Sequence, residues 1–202
     1  SGTATLTCTT YNGSTSIGSK SITVKLNLPA SVVPTITSLT ATRVDGDVPR
    51  AWGIYVQTKS KAALSINGAT GSYGSAIASY SITGGGFAGT SATMTTGFLN
   101  TAGTITFTAT VTDSRGRTSA AKTVSISVAS YSAPSFSSYL SQRCSSSGTL
   151  ASDGTYIKSS VSYSYSSCSS ENSVTRATYY RRMGATSWTN ANKSFASGTA
   201  FT

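Results

Sequence analysis

The sequence predicts an all-β protein built from repeated antiparallel β-sandwiches, and three observations lead to this prediction. Charged residues make up only 10% of the chain, whereas serine, threonine, glycine and tyrosine are abundant. Such a composition disfavours helices and favours strands and turns. Apolar residues alternate with polar ones over long stretches, as they do in half-buried strands. The chain also repeats itself at a spacing of about 100 residues.

The repeat is visible in several pairs of segments. Residues 103–110 match residues 2–9, and residues 154–158 match residues 53–57, both at a spacing of 101. Residues 122–126 match residues 20–24 after a shift of one position. A unit of about 100 residues has the size of an immunoglobulin-like domain. We therefore predict tandem immunoglobulin-like antiparallel β-sandwiches.

The repeat also predicts the domain boundaries. Residues 35–134 form one complete immunoglobulin-like domain, and residues 1–34 are the C-terminal strands of a preceding repeat. Residues 135–202 are a following repeat that is incomplete at its C-terminal end. Pro34 and Pro134 lie where one repeat continues into the next, and proline restricts the chain there without removing a needed ladder donor.

Within each repeat, the apolar residues of a predicted strand share one parity and so point to one face of a sheet. We expect these faces to close on a core. The inward sets are Ile22, Val24, Leu26 and Leu28; Ile54, Val56, Ala62, Leu64 and Ile66; Ile105, Phe107, Ala109 and Val111; Val124, Ile126 and Val128; and Ile157, Val161, Tyr163 and Tyr165. Turns are predicted at 67–68, 84–86, 97 and 113–117, where glycine, asparagine, aspartate and serine suit turn geometry.

Charge and hydropathy limit the partners. The net charge is +10, but most of the basic residues are dispersed singly, and no RNP-like, helix-turn-helix or zinc-finger pattern is present. We expect no specific nucleic-acid binding, although adhesion to an anionic cell wall or glycan stays open. The sequence contains no apolar run of transmembrane length and no signal-peptide pattern. It predicts a soluble piece of a longer protein that does not insert into a membrane.

The chain lacks the residues that most enzymes and metal sites need. It has no histidine and only five acidic residues, which excludes Ser-His-Asp triads and removes the commonest metal ligand. The closest acidic pair, Asp45 and Asp47, flanks a glycine in a predicted turn; it is either a calcium site or a solvated turn. The glycines at 84–86 open no helix and so form no phosphate cradle. We expect no catalytic residue, metal or cofactor.

The three cysteines are too scattered for a zinc site. Cys8 matches Ala109 and shares its inward parity, so we expect it to be a small buried core residue. Cys144 and Cys168 lie in one predicted repeat. They would form a disulfide in an extracellular protein, or two free thiols in a chain assembled in a reducing cytoplasm.

Several motifs resemble a known family. Residues 111–119 resemble the closing hairpin of bacterial and phage immunoglobulin-like modules. Residues 51–57, 80–86 and 2–28 resemble the repeats of minor structural tail proteins from siphophages of Gram-positive hosts. Residues 179–189 look closer to a fibronectin type III hairpin, which makes the final repeat a variant. The resemblance implies a virion tail or extracellular location, an assembly role with other tail proteins, and contact with a host surface.

One cluster stands out as a binding surface. Aromatic rings stack on sugar rings, and guanidinium groups bind acidic substituents. The cluster consists of Tyr179, Tyr180, Arg181, Arg182 and Trp188. It would form a glycan-binding or anion-binding face, or else one tyrosine would enter the core and Trp188 would fill a strand crossing.

The sequence leaves three functions in competition. The first is a structural spacer in an extracellular fibre such as a phage tail or tail fibre. The second is an adhesin for a host cell-surface glycan, and an enzyme is a remote third. The incomplete repeat at 135–202 would expose a core and open edges. Residues 1–34 of another copy could complete it head to tail, or a longer polypeptide could complete it in cis.

Overall fold

The computed structural model describes residues 2–44 and 46–202 and has an all-β fold, as predicted. About half of these residues lie in strands, and the described chain contains no α-helix. A single 3-10 turn spans Arg50–Trp52. The strands are β1 Gly2–Asn12, β2 Thr15–Leu26, β3 Ser38–Val44, β4 Tyr55–Val56, β5 Lys61–Asn67, β6 Ile77–Gly84, β7 Phe87–Gly89, β8 Thr93–Thr95, β9 Gly103–Asp113, β10 Lys122–Ala129, β11 Ser135–Cys144, β12 Tyr156–Ser164, β13 Tyr179–Tyr180, β14 Thr189–Asn190 and β15 Ala200–Phe201.

The strands form several sheets. The largest has the order β4-β10-β9-β6-β7, and a three-stranded sheet has the order β3-β5-β8. The remaining strands pair as β1-β2, β11-β12-β15 and β13-β14. Contacts divide the chain into two compact units. One holds the residues up to Thr40 with Leu64–Met94 and Phe107–Val124, and the other holds Ala41–Ala63, Thr95–Thr106 and Ser125–Thr202.

The first unit contains the antiparallel pair β6-β9, in which Ile82 faces Ala109. Its core follows the predicted parity. Leu64 and Ile66 of β5 are buried, as are Phe107 and Val111 of β9, while the threonines between the β9 core residues remain at least partly exposed. Alternation along these strands therefore predicted the buried face correctly.

Asp113 continues the inward parity of β9 and is buried at 1% exposure. Its carboxylate accepts hydrogen bonds from Arg117 Nη2 at 2.7 Å, Arg117 Nε at 3.0 Å and Ser75 Oγ at 3.0 Å. The backbone N–H groups of Arg115 and Arg117 also donate to it. Burial by itself raises the pKa of the Asp113 carboxyl, but these donors outweigh burial and hold the pKa well below its usual range. The predicted turn at 113–117 is confirmed, with Gly116 at φ 76°.

The hairpin β1-β2 also belongs to the first unit and forms a two-stranded sheet of its own. Its register places Leu6 opposite Ile22 and Cys8 opposite Lys20. The expectation that Cys8 is buried is wrong, because Cys8 is exposed. Parity assigns a residue to a face, and in this hairpin none of the described strands covers that face.

The second unit has a small core in which Val48, Val56 and Cys168 are buried. Trp52, Ile54 and Tyr131 pack against it. Beside this core, β10 pairs with β4 in parallel, with Val128 opposite Tyr55.

Two arginines in the second unit donate hydrogen bonds to loop carbonyls. Arg43 Nη1 donates to the Ile54 carbonyl at 3.0 Å, and Arg143 Nε donates to the Gly154 carbonyl at 2.8 Å. Arg43 and Arg143 lie 100 residues apart, but the repeat matches Gly154 with Gly53, so the two acceptor carbonyls belong to neighbouring positions of the repeat. The repeat boundaries 1–34, 35–134 and 135–202 stay a prediction.

Candidate functional site

The predicted aromatic and arginine cluster lies on one hairpin of the second unit. Strands β13 and β14 pair antiparallel, with Tyr179 opposite Asn190 and Tyr180 opposite Thr189. Residues 181–188 connect them, and Gly184 adopts φ 81° in this connection. We call residues 179–190 the aromatic hairpin.

The structure brings Arg181 and Trp188 together. The Arg181 guanidinium lies 4.8 Å from the centroid of the Trp188 ring, a cation–π distance. Arg181 also donates a hydrogen bond from Nη1 to the Ala185 carbonyl at 3.4 Å. Trp188 is 61% exposed despite this contact, and Arg182 is exposed beside it. An amphipathic surface of this kind can take a sugar ring or an acidic group.

Tyr179 and Tyr180 face a large open groove, which we call the C-terminal groove. Its volume is about 1060 Å³. The walls come from the start of β11, the length of β12, the aromatic hairpin and the chain around β15. Its lining residues are Phe136, Tyr139, Ser141, Thr155, Tyr156, Ile157, Ser159, Val161, Ala177, Thr178, Tyr179, Tyr180, Ala191, Lys193, Phe195, Phe201 and Thr202.

Sequence reasoning missed the aromatic cluster beside this groove. Phe195 stacks on Phe201 with ring centroids 5.3 Å apart, and Tyr163 meets Phe195 edge to face at 6.0 Å. Arg176 Nη1 donates to the Tyr163 hydroxyl and to the Phe195 carbonyl, both at 2.9 Å. Tyr163 belongs to a predicted inward face, but Phe195 lies in an irregular segment where periodicity gives no signal.

Cys144 and Cys168 occupy different surroundings. Cys144 ends β11, and its carbonyl lies against Gly154. Cys168 packs in the small core beside Val48 and Val56, and burial raises the pKa of its thiol. Both carry free thiols in the structure. A disulfide between them stays a prediction.

Residues 2–44 and 46–202 contain no group of three side chains that could ligate a metal ion. Asp45, one half of the acidic pair in the predicted turn, lies outside the described residues, so the calcium interpretation of that turn stays untested. No helix in the same residues is long and apolar enough to cross a membrane.

Comparison with protein families identifies a viral family. Residues 1–152 match the profile of a siphovirus protein family of unknown function, DUF859. No curated protein matches the chain. The expected siphophage origin is thereby confirmed. Because the match covers about three quarters of the sequence, the chain belongs to this siphovirus protein family.

Proposed function

We propose that the protein is a non-enzymatic structural component of the virion, in which tandem immunoglobulin-like repeats act as spacers in a tail or tail fibre. One observation carries the proposal. Strand β9, Gly103–Asp113, has the length of β1, Gly2–Asn12, and lies 101 residues after it. Repetition of a strand at the spacing of an immunoglobulin-like domain is typical of chains that build length from identical modules.

The polar faces of the hairpins support a spacer role. In β1-β2, the Thr7 and Ser21 hydroxyls pair across the strands at 2.7 Å. Across Gly103–Asp113 and the following strand, the Thr106 and Ser125 hydroxyls pair at 2.8 Å. The faces that carry these hydroxyls are polar, and the one on β1-β2 also carries Lys25, so they add no apolar patch for unspecific association.

Immunogold electron microscopy tests the proposed location. Antibodies raised against the 202-residue chain are applied to virions of the phage that encodes it, and we expect gold particles on the tail or tail fibre. Antibody preincubated with the purified chain is the control and should label nothing. Gold on the head alone, or absence of the protein from purified virions, would overturn the proposal.

The aromatic hairpin favours a second candidate, an adhesin for a host cell-wall or capsule glycan. The ring of Trp188 is exposed and has the Arg181 guanidinium beside it. A glycan array tests this function with the Trp188→Ala variant. Tyr73→Ala, which removes another exposed ring, is the matched control. Binding that is lost only in Trp188→Ala supports an adhesin, and no saturable binding by the unaltered chain rejects it.

A further inference from the structure

The β1-β2 hairpin carries an apolar face that its own unit leaves open. Residues directly opposite each other in an antiparallel pair point to the same face. The register therefore places Ala4 with Val24, Leu6 with Ile22, and Gly2 with Leu26 on one face. Leu6 is 58% exposed and Ile22 is 60% exposed. The opposite face is polar and carries Thr5 opposite Thr23.

The same face is buried in the matching strand. At the spacing of 101 residues, Ala4 and Leu6 correspond to Ile105 and Phe107 of β9. Ile105 is buried, and Phe107 has no exposed surface. Within the complete repeat, a strand of this sequence pattern is therefore packed against neighbouring strands. That packing buries the face that β1-β2 exposes.

The last repeat contains the counterparts of the strands that pair with β9 and β10, and they lie at the C-terminal groove. In the first unit, β9 pairs with β6, which turns back into β7. The aromatic hairpin follows the same order in the last repeat, but among the described strands β13 pairs with β14 alone. In the second unit, β10 pairs in parallel with Tyr55 and Val56 of β4. Their counterparts 101 residues later are Tyr156 and Ile157, which line the groove.

We propose that the C-terminal groove is the binding site for the β1-β2 hairpin of a second copy of this chain. In the complex, β1 lies beside β13, and the end of β2 runs parallel to the start of β12. The apolar face of the hairpin then covers Phe136, Tyr139 and Ile157. The inference rests on the repeat organisation in the proposed function and does not depend on a tail location.

Such a contact joins two different surfaces of the chain. Each copy would offer a hairpin to one neighbour and a groove to the other, which is strand addition in a head-to-tail sense. Heterologous contacts of this kind grow into filaments unless the rotation between copies closes a ring. Assembly would therefore depend on protein concentration.

Light scattering across a concentration series tests the contact with the 202-residue chain and two variants. The unaltered chain should grow in mass with concentration. Leu6→Asp places a charge on the apolar face and should lower the association constant at least about tenfold, since it would bury an unpaired carboxylate. Thr5→Asp adds the same charge to the opposite face of the same strand and should leave association unchanged to within about twofold.

Cross-linking tests the register. By the one-residue shift of the repeat, Leu26 corresponds to Val128, and Val128 pairs with Tyr55, the counterpart of Tyr156. A chain with Leu26→Cys is mixed with a chain carrying Tyr156→Cys, both in a Cys8→Ser background. Oxidation should then give a covalent dimer. Lys25→Cys points to the polar face and should give none with the same partner.

The outcomes separate this inference from the proposed function. A monomer at every concentration overturns the contact, as does assembly that Leu6→Asp leaves unchanged or equal cross-linking by Lys25→Cys. If the chain is monomeric but its antibody labels the tail, the spacer function is retained and the contact between copies is rejected. Concentration-dependent assembly by a protein absent from virions would support the contact and reject the spacer.

Discussion

Asp113 is a buried carboxylate whose negative charge is held by Arg117 and by donors from two loops. Asp113→Asn keeps the shape but removes the charge, so the guanidinium loses its partner. Breaking a buried pair is strongly destabilising, and we expect the melting temperature to fall by about 5–10 °C. Thermal unfolding followed by circular dichroism at pH 7 measures the change.

The control is another acid–base pair. Asp47 lies 3.4 Å from Lys59, and its side chain is 74% exposed. Exposed pairs contribute little, so Asp47→Asn should change the free energy of unfolding by less than about 0.5 kcal/mol. An equal loss of stability in Asp113→Asn and Asp47→Asn would mean that the burial of Asp113 does not determine the loss.

Asp113 also predicts a pH dependence of stability. The folded pKa of its carboxyl is lower than the unfolded value of about 3.9. Its contribution is therefore complete above about pH 4 and is lost as the pH falls through the folded pKa. Between about pH 5 and pH 2, the unaltered chain should lose melting temperature more steeply than Asp113→Asn. Parallel pH profiles for the two proteins would contradict this.

The cysteines predict a thiol count. In dilute native chain without reductant, a thiol reagent should react quickly with one group, because Cys8 is exposed while Cys144 and Cys168 are buried. The raised pKa of Cys168 slows that thiol further. Denaturant should then release two more. Cys8→Ser should lose the fast phase, and a total of one thiol after denaturation would instead reveal the Cys144–Cys168 disulfide.

At the scale of elements, close backbone packing predicts the effect of a glycine substitution. A Cβ added at Gly154 would lie 2.2 Å from the Cys144 carbonyl oxygen, so the end of β11 would have to move. Gly154→Ala should destabilise the last repeat by about 1–3 kcal/mol. Urea unfolding followed by Trp188 fluorescence in a Trp52→Phe background reports this repeat.

The matched control is a glycine within a strand. At Gly18 in β2, the added Cβ would lie 3.7 Å from Thr10 Oγ1, an ordinary contact. Gly18→Ala should leave the urea midpoint nearly unchanged. A Gly154→Ala midpoint equal to that of the unaltered chain would show that β11 and its loop are less closely packed than the structure indicates.

Alternation predicted the strands well because a two-residue period follows from backbone geometry alone. It placed Phe107 and Val111 in the core correctly. It failed at Cys8, Ile22 and Leu26, which are exposed, since a period identifies a face but not whether another layer covers it. The predicted turn at Asp113 was correct, whereas its ion pair depends on the three-dimensional turn and on distant Ser75. Phe195 was missed because apolar and polar residues do not alternate regularly in an irregular segment.

At the scale of the whole molecule, the hairpin β1-β2 and strand β9 differ in how many neighbouring strands they pair with and in how much apolar surface they bury. A two-stranded hairpin alone is marginally stable in water, whereas β9 is paired within a larger sheet and buries its apolar face. Exchange of backbone amides should therefore be fast in β1-β2 and slow in β9 when the chain is dilute.

Protein concentration should change this exchange pattern if the β1-β2 hairpin of one copy binds the C-terminal groove of another. Hydrogen–deuterium exchange measured at low and high protein concentration should show β1-β2 and the start of β12 becoming protected together, by about tenfold or more, because both would gain a sheet neighbour. Exchange in β9 should not change, and Leu6→Asp should stay fast in β1-β2 at either concentration. Growth in mass without added protection in β1-β2 would place the contact on another surface.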